Sequence, residues 1–402
     1  MLLSREEEKA RMDMLRKIKE NKITLGIIFL TVILVLLLQN FGYKSYARYV
    51  TDTLHYEQGI VVEISASDVS YDEELKIYLG TQDLKVRMTE GDEKENVIEV
   101  TNYLTKTHNV YAKVNMPLII NADRPEQVEP YYTVFNYDRR FWLLASILVL
   151  IVAIVSIGGG KGIRAVVGLL YSLFVIVGFL LPAVFSGWSP IWTGIVTCIL
   201  STTVTLLLLN GQSKKTYAAI LATIIGMFFS LLFFELMSRL IHIDGFSSSE
   251  TEGLILINEA TGLQIKDVLF AGVMISSLGA IMDVGMSIVS ALYEVYFHNP
   301  DLTEKEIFKS GIEIGKDMIG TMTNTLILAF TGSAFITLLV FISYQVQFNQ
   351  LINSNYMCME IAQGICGTFG IVLTIPTASA IMAFLLKNER VGSNKGNPSI
   401  NG

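Results

Sequence analysis

The chain reads as a polytopic all-α membrane bundle of about eight spans, with one small external β domain between the first span and the second. Three observations lead there. The 402 residues are 51% hydrophobic and only 17% charged, with a mean hydropathy of +0.49, too apolar for a soluble enzyme of this length. The apolar residues gather in runs of spanning length. After the first run comes a polar stretch whose β-branched residues fall in short segments divided by turn residues.

Residues 1–22 are a basic segment with Arg5, Lys9, Arg11, Arg16, Lys17, Lys19 and Lys22. The apolar run at 23–43 follows. It reads as a retained anchor, being Leu/Ile/Val-rich and near spanning length; the alternative is a signal peptide cut near Ser45-Tyr46-Ala47. Residues 44–140 make the one sizeable soluble piece, expected to fold as a sandwich or open barrel. Strands are expected in the runs 59–64, 96–100, 108–114 and 132–135, with turns at Thr89-Glu90-Gly91-Asp92 and Asn121-Ala122-Asp123.

The remaining spans fall at about 141–157, 164–186, 190–209, 216–241, 267–296, 318–344 and 360–386, a bundle over 141–386. The connection 243–265 is expected to carry a short amphipathic piece. The tail 387–402, rich in Asn, Gly, Ser and Lys, is expected to be disordered.

Lys and Arg orient the spans. Lys161 with Arg164, Lys214 with Lys215, Lys305 with Lys309 and Lys316, and Lys387 with Arg390 all fall on one side if there are eight crossings. The alternate connections are nearly free of them. Both termini are therefore expected in the cytoplasm and residues 44–140 outside.

Net charge is −7, with the acids concentrated at about 53–127, so nucleic acid is not an expected partner. Three cysteines at wide spacing form neither a disulfide framework nor a zinc site, and the four histidines are scattered. Gly158-Gly159-Gly160-Lys161-Gly162 lacks the Ser or Thr after Lys and follows no strand, which rejects a phosphate loop. No nucleophile–base set is visible. Neither enzymatic activity nor a cofactor or metal is expected.

Asp283 is the most informative residue. It sits inside an apolar run, where a carboxylate costs several kcal/mol and is normally kept for a pathway or a partner. Gly272, Ser276, Gly279, Asp283, Ser287, Ser290 and Glu294 recur at spacings of four and three, on one helix face. That face is expected to turn from lipid toward protein, with Asp283 able to take and release a proton and Glu294 continuing the relay. In the next span Glu313, Asp317, Gly320, Asn324 and Thr331 lie near one face, and Gly311 with Gly315 allows close helix approach. The helix of Asp283 is expected to pack against the helix of Asn324. The competing reading is that these groups only hold helices together. Thr193, Thr197, Ser201 and Thr205 form a hydroxyl stripe read as packing, and Glu235 with Arg239 an intrahelical ion pair.

The sequence resembles the YibE/F family of multi-spanning bacterial membrane proteins. The resemblance rests on Gly160-Lys161-Gly162, Leu181-Pro182, the run Asn210 to Thr216, the run Gly279 to Val284, and the stretch from Ser310-Gly311 through Leu326. The β segment before Tyr137-Asp138-Arg139-Arg140 also fits, so the resemblance covers about 55–385. It implies a bacterial cell-membrane location and fixes no activity. A weaker resemblance, to the SecD/SecF export subunits of the proton-driven RND type, is carried by Leu278 to Asp283 and Glu306-Ile307-Phe308; only Asp283 matches residue for residue. It implies proton coupling through Asp283. The expected function is a proton- or cation-coupled transporter or translocation accessory of unspecified substrate, with a paralogous subunit or a second copy as partner. The alternative is a non-transporting scaffold or envelope sensor.

Overall fold

The computed structural model describes residues 22, 24–43, 53–243, 251–263 and 265–395. The basic segment up to residue 21, the Ser45-Tyr46-Ala47 segment and the end of the tail lie outside the described residues. The chain divides into two compact units, one of residues 47–153 and one of 1–46 with 154–402.

The first unit is a curled antiparallel sheet. Its strands are β1 (Leu54–Asp72), β2 (Ile77–Met88), β3 (Val97–Leu104), β4 (Pro117–Asp123) and β5 (Tyr131–Tyr137), in the order β3-β2-β1-β4-β5. The long β1 has two register shifts, between Val61 and Glu63 and between Ile64 and Ala66. Such bulges bend a strand and strengthen its twist. The edge strands β3 and β5 thereby meet, which favours the open-barrel expectation over the sandwich. Alternation buries Val61, Leu84, Val86, Val100, Leu118 and Ile120 in one core. The segment 108–114, expected as a strand, joins no ladder. Its backbone instead meets side chains from the sheet: Gln82 Nε2 donates to Ala112 O at 3.2 Å, Ala112 N–H donates to Gln82 Oε1 at 2.9 Å, and Asn102 Nδ2 donates to Val110 O at 2.7 Å. Both amides are fully buried, where an unbonded backbone group would be costly. Glu57 and Arg124 form a two-pronged ion pair, both bonds 2.7 Å.

The second unit is helical. Its helices are α1 (Thr24–Asn40), α2 (Arg140–Phe185), α3 (Pro190–Asn210), α4 (Lys214–Leu240), α5 (Thr251–Thr261), α6 (Ile265–His298), α7 (Glu304–Ser343), α8 (Phe348–Ile352) and α9 (Asn355–Lys395). The first residues of α2 belong to the sheet unit. Six of the helices, α2, α3, α4, α6, α7 and α9, are long and apolar enough to cross a membrane; α1 is shorter. The spans expected at 141–157 and 164–186 fall in the two parts of α2, divided by a non-helical residue, Gly159 (φ 52°, ψ −133°). One sequence expectation needs correction here. The tail 387–402 is not wholly irregular, because α9 continues to Lys395; no proline stops it before Pro398.

α1 lies beside the second half of α2, where Tyr171 Oη donates to Thr31 Oγ1 at 3.1 Å. The bundle centre is α4, α6 and α9, packed through small residues. A Cβ on Gly226 would collide with Thr374 of α9, and one on Gly285 would lie 3.2 Å from Thr223 Oγ1 of α4. Ser230 Oγ donates to Cys366 O at 2.8 Å. Arg239 and Lys266 lie at one end, and Lys214, Lys215, Lys305, Lys309 and Lys387 gather at the other. There Lys387 pairs with Glu304 at 2.8 Å, and Lys215 stands over the Tyr293 ring at 4.7 Å.

Candidate functional site

The polar stripe of α6 forms, but it does not face the bundle. Val273, Ser277, Ile281, Val284, Ile288 and Leu292 are among the residues of this helix that are buried. Gly272, Ser276, Gly279, Asp283, Ser287 and Glu294 lie on the opposite, exposed side. A side chain added at Gly272 or Gly279 would meet no atom within 4 Å. Within this chain the expectation that Asp283 faces protein is therefore wrong. Among the described residues, no group hydrogen-bonds to or pairs with its carboxyl. The physical reason is that lipid is as apolar as leucine, so hydrophobicity does not decide which face packs within the chain, and here the bulky face does.

α7 follows the same rule. Ile307, Gly311, Gly315 and Leu326 are buried, while Asp317, Gly320 and Asn324 are exposed. Gly311 and Gly315 do allow close approach, but chiefly to α9. A Cβ on either would collide with Ser379 or Ile375. Gly311 also touches α6, where its Cβ would fall 2.9 Å from Leu292 Cδ1. α6 and α7 are neighbours as expected, and their polar faces both point away from α9 rather than at each other.

The contact between Leu292 and Gly311 sets the relative depth of these two antiparallel helices. A second contact agrees with it. Fifteen residues further along each helix, Ser277 and Leu326 both reach Gly367, at 3.3 and 2.7 Å from its added Cβ. In that register Asp283 and Gly320, each nine residues from the Leu292–Gly311 contact, stand level. So do Ser287 with Lys316, and Gly279 with Asn324. Asp283, Ser287 and Asn324 thus share one open surface, with Asp317 and Glu294 nearer the basic end.

A further carboxyl escapes the sequence reading. Glu360 is the first residue of the span expected at 360–386, and α9 begins a turn earlier, at Asn355, so Glu360 lies within the helix. With Phe330, Thr331 and Met357 it lines an apolar crevice of about 180 Å³ between α7 and α9, and its Oε2 is buried without a partner among the described residues. The signal available was Tyr356 and Glu360, one helical turn apart. The hydroxyl stripe of α3 is buried as packing requires, with the Thr193 hydroxyl donating to Ser189 O at 2.9 Å. Thr197, Ser201 and Thr202 are buried with no partner among the described residues. Glu235 pairs with Arg239 at 2.5 Å and with Lys266 at 3.7 Å.

The profile of the YibE/F-like protein family matches residues 146–388, more than half of the chain. The chain belongs to the YibE/F-like family. No curated protein and no solved structure matches it. The YibE/F-like match takes in α3, α4, α6 and α7 whole, α2 from residue 146 and α9 to residue 388, and with them Asp283, Asn324 and the α4–α6–α9 centre. It leaves out β1 to β5, narrower than the resemblance over 55–385 drawn from the sequence.

Proposed function

We propose that this YibE/F-like chain is a membrane transport or translocation component in which Asp283 takes up and releases a proton, or holds a cation, on the open face of α6. The observation that supports this is a carboxyl in the middle third of an apolar 34-residue helix, exposed and without a partner among the described residues. A carboxyl placed there for helix packing alone would be bonded to a neighbouring helix. An unsatisfied carboxyl at membrane depth marks a pathway or a partner. The basic end of the bundle lies in the cytoplasm by the distribution of Lys and Arg. With both halves of α2 and the shorter α1 crossing, eight crossings keep both termini in the cytoplasm and residues 44–140 outside a bacterial cell membrane. The test is proton flux. Proteoliposomes loaded with a pH-sensitive dye should lose an imposed gradient with the native protein and keep it with Asp283→Asn. Equal flux from both proteins would sink the proposal.

A second reading, a non-transporting scaffold or envelope sensor, draws on the sheet. Tyr56 and Phe135 stand edge-to-face on its surface at 4.8 Å, each half exposed. Exposed aromatic pairs of this kind suit a protein partner. Binding of a partner to residues 47–153 with no flux through the bundle would favour this reading.

A further inference from the structure

We infer that the open face of α6 and α7 is covered by a second copy of this chain, and that the second copy's α7 supplies the group that caps Asp283. The inference holds whether or not Asp283 carries protons.

Both helices pack toward α9. Ile281 reaches Gly370, and Gly311 and Gly315 meet Ser379 and Ile375. Their exposed sides therefore form one surface turned away from α9. Lipid is a poor cover for it, since a carboxyl at the helix centre costs about 3 kcal/mol on insertion scales. A water-filled cavity would need walls, and among the described residues this chain offers none at Gly272, Gly279 or Gly320.

A second copy fits by chemistry and by depth. A two-fold axis along the membrane normal leaves every residue at its own depth, and it sets α6 of one copy antiparallel to α7 of the other. The residues that are level within one chain then become partners between chains. Glu294 meets Lys309, each two residues from the Leu292–Gly311 contact toward the basic end, and both are exposed. Ser287 meets Lys316, whose ammonium already holds Glu313 at 2.8 Å. Asp283 meets Gly320, where no side chain blocks the approach, and Gly279 meets Asn324. The Asn324 amide, one helical turn from Gly320, can reach the Asp283 carboxyl through the space the two glycines leave. Glu294 faces the unlike charge of Lys309, and Lys316, Asp283 and Asn324 each face a glycine or a serine. Each contact occurs twice by symmetry.

Cross-linking tests this directly. Cys358 is replaced by Ser, and the buried Cys198 and Cys366 are kept. One tagged population carries Gly279→Cys and another, with a different tag, carries Asn324→Cys. Co-expressed and oxidised in the membrane, they should give a mixed-tag dimer. A pairing of Gly279→Cys with Leu232→Cys, on an exposed part of α4, should not. In nanodiscs the native chain should be dimeric, and Gly279→Trp should lower the dimer fraction about tenfold with the monomer's melting temperature unchanged. A native chain that stays monomeric at all protein-to-lipid ratios overturns the inference. So do mixed-tag products no stronger than the control, dimers untouched by Gly279→Trp, or a different subunit found seated on this face.

Discussion

Ser230 of α4 and Cys366 of α9 are joined by a hydrogen bond from the serine hydroxyl to the cysteine backbone carbonyl, 2.8 Å long and fully buried. The bond is possible because the two helices are held unusually close. A Cβ at Gly370 would sit 2.9 Å from the Ser230 Cβ and 3.3 Å from the carbonyl oxygen of Gly226. Close contact of this kind substitutes for the hydrophobic drive that lipid removes. Ser230→Ala should cost about 0.6 kcal/mol, the usual worth of an interhelical bond in a membrane, read as a small fall in detergent melting temperature.

Gly226 of α4, packed against Ile281 of α6, and Gly279 on the open face of α6 should behave oppositely. Gly226→Val forces a side chain into Thr374 and Ile281, and should cost about 1–3 kcal/mol or more by overpacking. Gly279→Ala adds a methyl group to open space, and should leave the melting temperature of the monomer within about 0.5 kcal/mol of the native value. Equal sensitivity at the two sites would contradict the assignment of packed and open faces.

Asp283→Asn should keep the fold. Among the described residues no group pairs with the carboxyl, so its removal strands no buried charge, and thermal stability should stay within about 0.5 kcal/mol. The same variant is inactive in the flux assay if Asp283 is the switch. A variant that melts several degrees lower would reveal a partner inside the chain.

Asp138 sets an acid limit on the sheet unit. Its carboxylate accepts from Arg140 at 3.0 Å and from Gln58 Nε2 at 2.5 Å. The Arg140 guanidinium holds it below the ordinary carboxylate value. A depressed value means the folded state favours the charged form. Its contribution is fully present above the unfolded value of about 3.9 and is lost as pH falls through the lower folded value. Asp138→Asn should therefore lower stability at pH 7 by about 1–3 kcal/mol and flatten its acid dependence below pH ~4, measured by melting the whole protein across a pH series.

Gln82 and Asn102 should act as one unit, since Asn102 Nδ2 also donates to Gln82 Oε1 at 3.2 Å. Either change to Leu should expose the 105–116 segment to limited proteolysis at a cost of about 1–3 kcal/mol. The double change should cost clearly less than the two single costs together. Strict additivity would mean the two amides work independently.

Much of this architecture was legible in the sequence. The apolar runs fall where the long helices form, because length and composition decide that, and the β-branched segments mark a sheet. Which side of α6 packs was not legible. In water the face with Ile281, Val284 and Ile288 would have to be buried; in a membrane either face can pack, so the spacing of Gly279, Asp283 and Ser287 marks a special face without saying what it meets. β2 was missed although Asp83 to Met88 alternate polar and apolar, and β4 was missed because its end, Asn121-Ala122-Asp123, was read as a turn. Residues 108–114 were taken for a strand because Val110, Tyr111, Ala112 and Val114 have strand composition; the amides that replace a neighbouring strand lie in β2 and β3, far along the chain. Glu360 drew no attention because it stands at the very start of the span expected at 360–386, where a carboxylate reads as a solvated helix end; α9 in fact begins at Asn355.

The break at Gly159 is a matter of counting. A continuous helix of 46 residues would be about 69 Å long, more than twice the hydrocarbon thickness of about 30 Å. Divided at that glycine, each half is close to one membrane thickness. The backbone angles there lie where residues with a side chain rarely go. Whether the stretch counts as one apolar segment or two then depends on one residue that lacks a side chain. A valine at that position would have to abandon those backbone angles, and would press the two halves toward a single rod too long for one apolar layer.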